Sequence, residues 1–212
     1  MEDNKKEEIL DNPFEEIDNK KEEDDNKIFK PFKVKDFVFL AITAACMLIT
    51  GGIMPLALGI PLFGAIELCL GLQFSIFPAI ALMKVKKLGS LTLISIFLGA
   101  ILAFMFFPMF ICLILCALIT ELLVLIIFRG YKSDVSCLFA ATIYTPLTIP
   151  FLFLWLKFMY SKENPKSAIA AMISPELWQV FTISAAVIIL CFIGALIGVK
   201  IAKELRKAGK LN

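Results

Sequence analysis

Lys33–Gly52 reads KVKDFVFLAITAACMLITGG, and the reading of this stretch decides the fold. It is expected to form a first transmembrane helix, with Ala41-Ile-Thr-Ala-Ala45 at its centre. Side chains four apart share one face of a helix, so Ala41 and Ala45 make a shallow strip with nothing bulky on it. In lipid such strips let two helix backbones approach closely, because packing rather than water exclusion drives association there. Two uses follow from the spacing: packing against another helix of the same chain, or docking onto a separate protein. A second strip, Gly194-Ala-Leu-Ile-Gly198, lies near the end of the chain and competes for either use.

Working outward, the composition says which solvent surrounds that helix. The chain has 212 residues, 59% of them hydrophobic, and a mean hydropathy of +0.86. A soluble fold has no way to hide so much apolar surface, so a bilayer must surround most of it. Charge is strongly segregated. Residues 1–30 hold twelve of the nineteen acidic residues and six of the twenty-one basic ones. The other 182 residues carry fifteen basic and seven acidic side chains. Residues 1–32 therefore read as an acidic, disordered cytosolic tail, and 33–212 as one transmembrane substrate-binding domain.

Six apolar runs follow the tail. The first covers about 35–53, the second runs from Met54 to Met83, and the next three cover about 88–107, 108–128 and 134–158. The sixth covers about 175–200 and ends in the basic segment VKIAKELRKAGKLN. Each is close to or above the ~20 residues a membrane crossing needs. The second run is too long for one crossing, and Pro55, Gly59, Pro61 and Gly64 crowd its first third. Ile53–Gly64 is therefore expected to be an apolar loop or lid, with the helix beginning near Pro61. Six crossings place both termini on one side. With the termini inside, the inner segments after residue 30 hold twelve Lys/Arg and the outer ones only Lys157, Lys162 and Lys166. That asymmetry puts both termini in the cytoplasm of a multi-pass cell-membrane protein.

Polar groups at membrane depth are the candidates for function. Glu67 and Gln73 lie in the second run and Glu121 in the fourth, none with an intramembrane Lys or Arg to pair with. Glu67 reads as a cavity residue, whereas Glu121 reads more readily as a structural hydrogen-bond acceptor. In the fifth run, Pro146 and Pro150 each remove an amide donor and free a carbonyl one turn back. On a helical wheel Tyr144, Thr148 and Trp155 fall together, a polar and aromatic face. The plainer alternative is a proline kink, with Trp155 and Tyr160 in the interfacial aromatic belt. The sixth run begins Ser174-Pro-Glu-Leu-Trp-Gln179, where Glu176 can complement the helix dipole and Trp178 can anchor at the interface. Together with Trp155 and Tyr160 at the end of the fifth run and Asn164 in the SKENPKS loop, Glu176, Trp178 and Gln179 also make a competent ligand-binding rim.

Several classes are disfavoured by what is missing. The sequence has no phosphate-binding G-x-x-x-x-G-K-[ST] loop, no H-E-x-x-H, no G-x-S-x-G and no dinucleotide fingerprint. It has no histidine, and its six cysteines sit within or beside apolar runs as small hydrophobes. Cys112 and Cys116 are neighbours on one helix face but lack a third ligand. No catalytic activity, metal, cofactor or nucleic-acid partner is expected.

The lead KVKDFVFLAITAA, the segment VKKLGSLTLISIFLGAI and the ending FIGALIGVKIAKELRK carry a further signal. They resemble the S component of an energy-coupling factor (ECF) transporter, most of all its Trep_Strep or MptD-type branch. The likeness spans nearly everything after residue 32 and leaves the acidic tail outside. It implies an all-α bundle of six transmembrane helices that captures a small nutrient at the outer face. It also implies docking, through an Ala-x-x-x-Ala strip on the first helix, onto a transmembrane coupling subunit served by two cytosolic ATPases. Ala41 and Ala45 match that strip. The runner-up is a small transporter or channel that works alone.

Overall fold

The computed structural model describes residues 31–53, 60, 63–104, 107–160 and 176–209. The tail over 1–30, most of the expected lid over 53–64 and Asn164 lie outside the described residues, as does the side chain of Tyr160. Helices α1 (Val34–Thr50), α2 (Ala65–Val85), α3 (Ser90–Leu102), α4 (Phe107–Phe128), α5 (Asp134–Tyr144), α6 (Thr148–Tyr160) and α7 (Leu177–Lys207) make up the bundle. Among the described residues there is no strand. Four stretches are long and apolar enough to cross a membrane: Ala65–Val85, Phe107–Phe128, Asp134–Trp155 and Leu177–Lys207. Large apolar side chains such as Ile126, Phe158 and Phe181 are exposed around the bundle, as a lipid-facing surface requires.

One end of the bundle is stitched by charge. Lys86 and Lys203 both reach Asp134, at 3.2 and 3.1 Å, and Lys87 pairs with Asp36 at 2.6 Å. The Arg206 guanidinium donates to the Met83 carbonyl at 2.8 Å and so satisfies one of the last carbonyls of α2. These contacts join the start of α1, the end of α2, the start of α5 and the end of α7. Successive rods therefore run in opposite directions, with this basic end at one pole and Glu67 in the first turn of α2 at the other.

Local chemistry sets the element boundaries. Asp36 accepts the Lys33 amide at 2.9 Å to start α1, and the Ser133 hydroxyl accepts the Ser136 amide at 3.1 Å to start α5. Gly64 opens α2 at φ 73°, where a Cβ would stand 2.6 Å from Ile183 Cγ2, so only glycine fits. That turn is why α2 begins at Ala65 and not near Pro61. The third helix is shorter than the expected 88–107, because Gly89 in a left-handed conformation delays its start and the chain turns at Ala103 and Phe104. Its 13 residues rise about 20 Å, short of a ~30 Å hydrocarbon core. The last helix overruns its expected end at 200, because IAKELRK consists mainly of good helix formers. The fifth run divides into α5 and α6 at Thr145-Pro146-Leu147. Pro146 has no amide to donate, and the chain recovers by bonding the Thr148 amide to the Thr145 carbonyl at 3.0 Å.

The most extensive helix pairing joins α7 to α2. Cys191 Sγ lies 3.4 Å from the Gly71 carbonyl oxygen, and Gly194 and Gly198 are both buried against α2. A Cβ on Gly194 would fall 2.3 Å from the Leu72 carbonyl oxygen, and one on Gly198 2.6 Å from that of Ile76. The C-terminal small-residue strip is thus consumed by packing within the chain.

Candidate functional site

The two intramembrane carboxylates are treated differently by the fold. Glu121 projects from α4 to the start of α3, where its Oε1 accepts the Leu91 and Thr92 amides at 2.8 and 3.3 Å. Its Oε2 accepts the Thr92 hydroxyl at 2.7 Å. It caps another helix, satisfying amides that α3 cannot satisfy itself. Gln73 is structural in the same sense, donating to the Thr50 carbonyl at the end of α1 at 3.3 Å.

Glu67 has no such support. It is 6% exposed, and its Oε2 is buried without a hydrogen-bond partner among the described residues. None of the ion pairs there includes it. A buried polar atom left unmatched costs about 1–3 kcal/mol, and more if it is charged. Gly64 stands beside this oxygen: its absent Cβ would lie 3.9 Å from Oε2, in a position the Ile183 side chain fills. Cys112 lies in the second turn of α4. Its side chain also lines a groove of about 140 Å³ between α4 and α6, with Met109, Leu115, Phe151, Leu152 and Trp155.

The break between α5 and α6 interrupts the single face on which the helical wheel placed Tyr144, Thr148 and Trp155. Tyr144 is fully buried, and its hydroxyl pairs with the Ser95 hydroxyl of α3 at 2.8 Å. Thr148 is buried and donates to the Thr145 carbonyl at 2.7 Å. Trp155 alone of the three lines the groove. Among the described residues, three further buried hydroxyls lack hydrogen-bond partners, those of Ser75, Tyr131 and Thr145.

The start of α7 is a cap made of its own residues. The Glu176 amide donates to Gln179 Oε1 at 3.2 Å, and the Trp178 indole N–H donates to the Glu176 carboxylate. Trp178 is 62% exposed. Glu176, Trp178 and Gln179 are therefore brought together with one another, while Trp155 is placed against α4. Among metal-binding side chains, the described residues hold no cluster of three or more. In the sequence Cys112 reads as a small hydrophobe, Gly64 reads only as a helix breaker at the end of the expected lid, and nothing marks Ser95. The four-residue spacing of Cys112 and Cys116 was the one available signal, and it names no use.

The docking strip is a separate feature. The buried face of α1 is Leu40, Thr43, Ala44 and Met47. Ala41 is half-buried and Ala45 exposed, in line with the exposed Val38, Ile42 and Ile49. The strip faces away from the bundle.

A family model described as a hypothetical bacterial integral membrane protein, Trep_Strep, matches residues 34–206. The chain belongs to this family. No curated protein and no solved structure matches it. Family membership and the apolar helices agree on a multi-pass integral membrane protein, and the matched segment contains every helix from α1 to all but the last residue of α7.

Proposed function

We propose that this chain is the substrate-capture subunit of an ECF-type importer. It would bind a small nutrient at its outer face and pass it inward with a transmembrane coupling subunit and two cytosolic ATPases. The observation that carries this reading is the direction of the Ala41/Ala45 strip. The chain closes its other small-residue strip, Gly194/Gly198, against α2, yet leaves this one facing the lipid. A shallow strip exposed to hydrocarbon gains nothing by itself, because lipid tails pack on it no better than on leucine. It gains when a second helix approaches closely. The resemblance of the chain to S components supplies the partner that such a strip would meet.

The rest of the chain suits that division of labour. It carries no phosphate-binding loop of its own, so the work of transport comes from partner subunits. With the lysine-rich end inside, Glu67 and the groove at Trp155 belong to the outer half of the bundle, where a nutrient would arrive. The test is a mild-detergent pull-down of the tagged full chain from bacterial membranes. The reading expects one multi-helix membrane subunit and two ATPases with phosphate-binding loops, and ATP hydrolysis in the eluate. Nutrient uptake into liposomes containing the chain alone would favour a self-sufficient transporter instead.

A further inference from the structure

The described residues begin at Pro31, where an acidic segment of thirty residues joins the bundle. We propose that this segment, residues 1–30, docks onto the basic end of its own bundle through charge. The inference stands apart from the importer reading and holds whichever partners the chain has.

The surface comes first. Apart from Lys157, every described Lys and Arg belongs to the basic end, eleven in all, against Asp36, Asp134, Glu204 and the buried Glu121. The ion pairs among the described residues engage Lys86, Lys87, Lys203 and Lys207. None of them includes Lys33, Lys35, Arg129, Lys132, Lys200 or Arg206, all of them exposed. That leaves a positive field at one pole of the bundle. The segment is its complement. Residues 1–30 hold twelve acidic and six basic side chains, and the acids are densest at Glu22-Glu23-Asp24-Asp25.

The point of attachment brings the two together. Lys87 Nζ donates to the Pro31 carbonyl and to Asp36 Oδ2, each at 2.6 Å. The Phe32 ring lies beside the same ammonium, 5.6 Å away, and 5.5 Å from the Phe37 ring. Lys86, the neighbour of Lys87 in the chain, pairs with Asp134, which Lys203 also reaches. Two adjacent lysines thus link the root of the segment to the start of α5 and the end of α7. The α4–α5 turn beside Asp134 exposes Arg129 and Lys132. Glu22–Asp25 lie six to nine residues before Pro31. Even at full stretch they stay within about 30 Å of it. A tether this short holds the acids at a high effective concentration over the face, an advantage that a free polyanion lacks.

A single exposed ion pair contributes little, because water screens it and two side chains lose freedom. The attraction here is summed over many charges on each side, so it should be steeply salt-dependent. Carbodiimide coupling reads it, since that reagent joins a carboxylate to a lysine amine only when the two touch. In the purified full chain in zwitterionic nanodiscs, amide links from Glu22–Asp25 to Lys132 should form within single chains at low salt. Raising NaCl to about 1 M, where screening acts within ~3 Å, should cut them at least fivefold. Arg129→Glu with Lys200→Glu leaves Lys132 in place and should cut them at least threefold while the thermal midpoint holds. Nanodiscs containing anionic phosphatidylglycerol should leave them in place. Absence of these links at low salt, or links indifferent to salt and to the double variant, would overturn the proposal. So would links found only between two chains, which would assign the face to a second copy. Loss of the links in anionic nanodiscs would assign it to lipid headgroups and overturn the proposal equally.

Discussion

Two strips of small residues, alike in sequence, meet different fates in this molecule. Gly194 and Gly198 of α7 press onto the backbone of α2 so closely that a methyl group would overlap a carbonyl oxygen. Ala41 and Ala45 of α1 look outward beside Val38, Ile42 and Ile49. The two carboxylates repeat the contrast, with Glu121 bonded to α3 and Glu67 left without a partner for Oε2. A motif in a membrane helix thus has no fixed use. What the rest of the bundle places opposite it decides whether it closes the fold or stays available.

The largest effect should come from the closed strip. Gly194→Ala and Gly198→Ala each force α7 away from α2, and each should cost about 1–3 kcal/mol as over-packing. The double variant should show a sharply lowered thermal midpoint in detergent, or no recoverable folded protein. Tolerance of both substitutions would mean that α7 is free to move off α2, and the contrast between the strips would dissolve.

The carboxylates come next. Glu121→Ala strands the buried Leu91 amide and should cost about 1–3 kcal/mol, read from the same midpoint. Glu67→Ala removes an unmatched buried oxygen and should cost less than Glu121→Ala, because no donor is stranded. Equal losses at the two positions would show that Glu67 has a structural partner after all.

The architecture was largely legible beforehand because hydrophobic run length and loop charge are strong, local signals. Break points were partly legible. Pro146 announced the α5–α6 junction, but the wheel that aligned Tyr144, Thr148 and Trp155 assumed a continuous helix, and a turn at 145–147 removes that premise. Sequence also suggested a structural role for Glu121, without being able to say that its donors are Leu91 and Thr92, thirty residues away in sequence. The site was less legible for the same reason. Cys112 lines a groove only because α6 lies against α4, and no pattern on α4 carries that. Glu176, Trp178 and Gln179 have the chemistry of a rim, and the same residue types cap the helix start, so sequence alone does not separate the two uses.

The smallest effect on the fold, and the most informative one, belongs to the open strip. Ala41→Leu with Ala45→Leu adds apolar bulk to a surface facing lipid, so the thermal midpoint should move by no more than ~0.5 kcal/mol of stability. The decisive measurement is the amount of coupling subunit and ATPases recovered with this double variant, relative to the parent, from the same membranes. The account predicts recovery reduced at least tenfold from a chain that is folded and still binds its ligand. Undiminished recovery would contradict it, because a strip whose groove can be filled without loss is not where the partner docks.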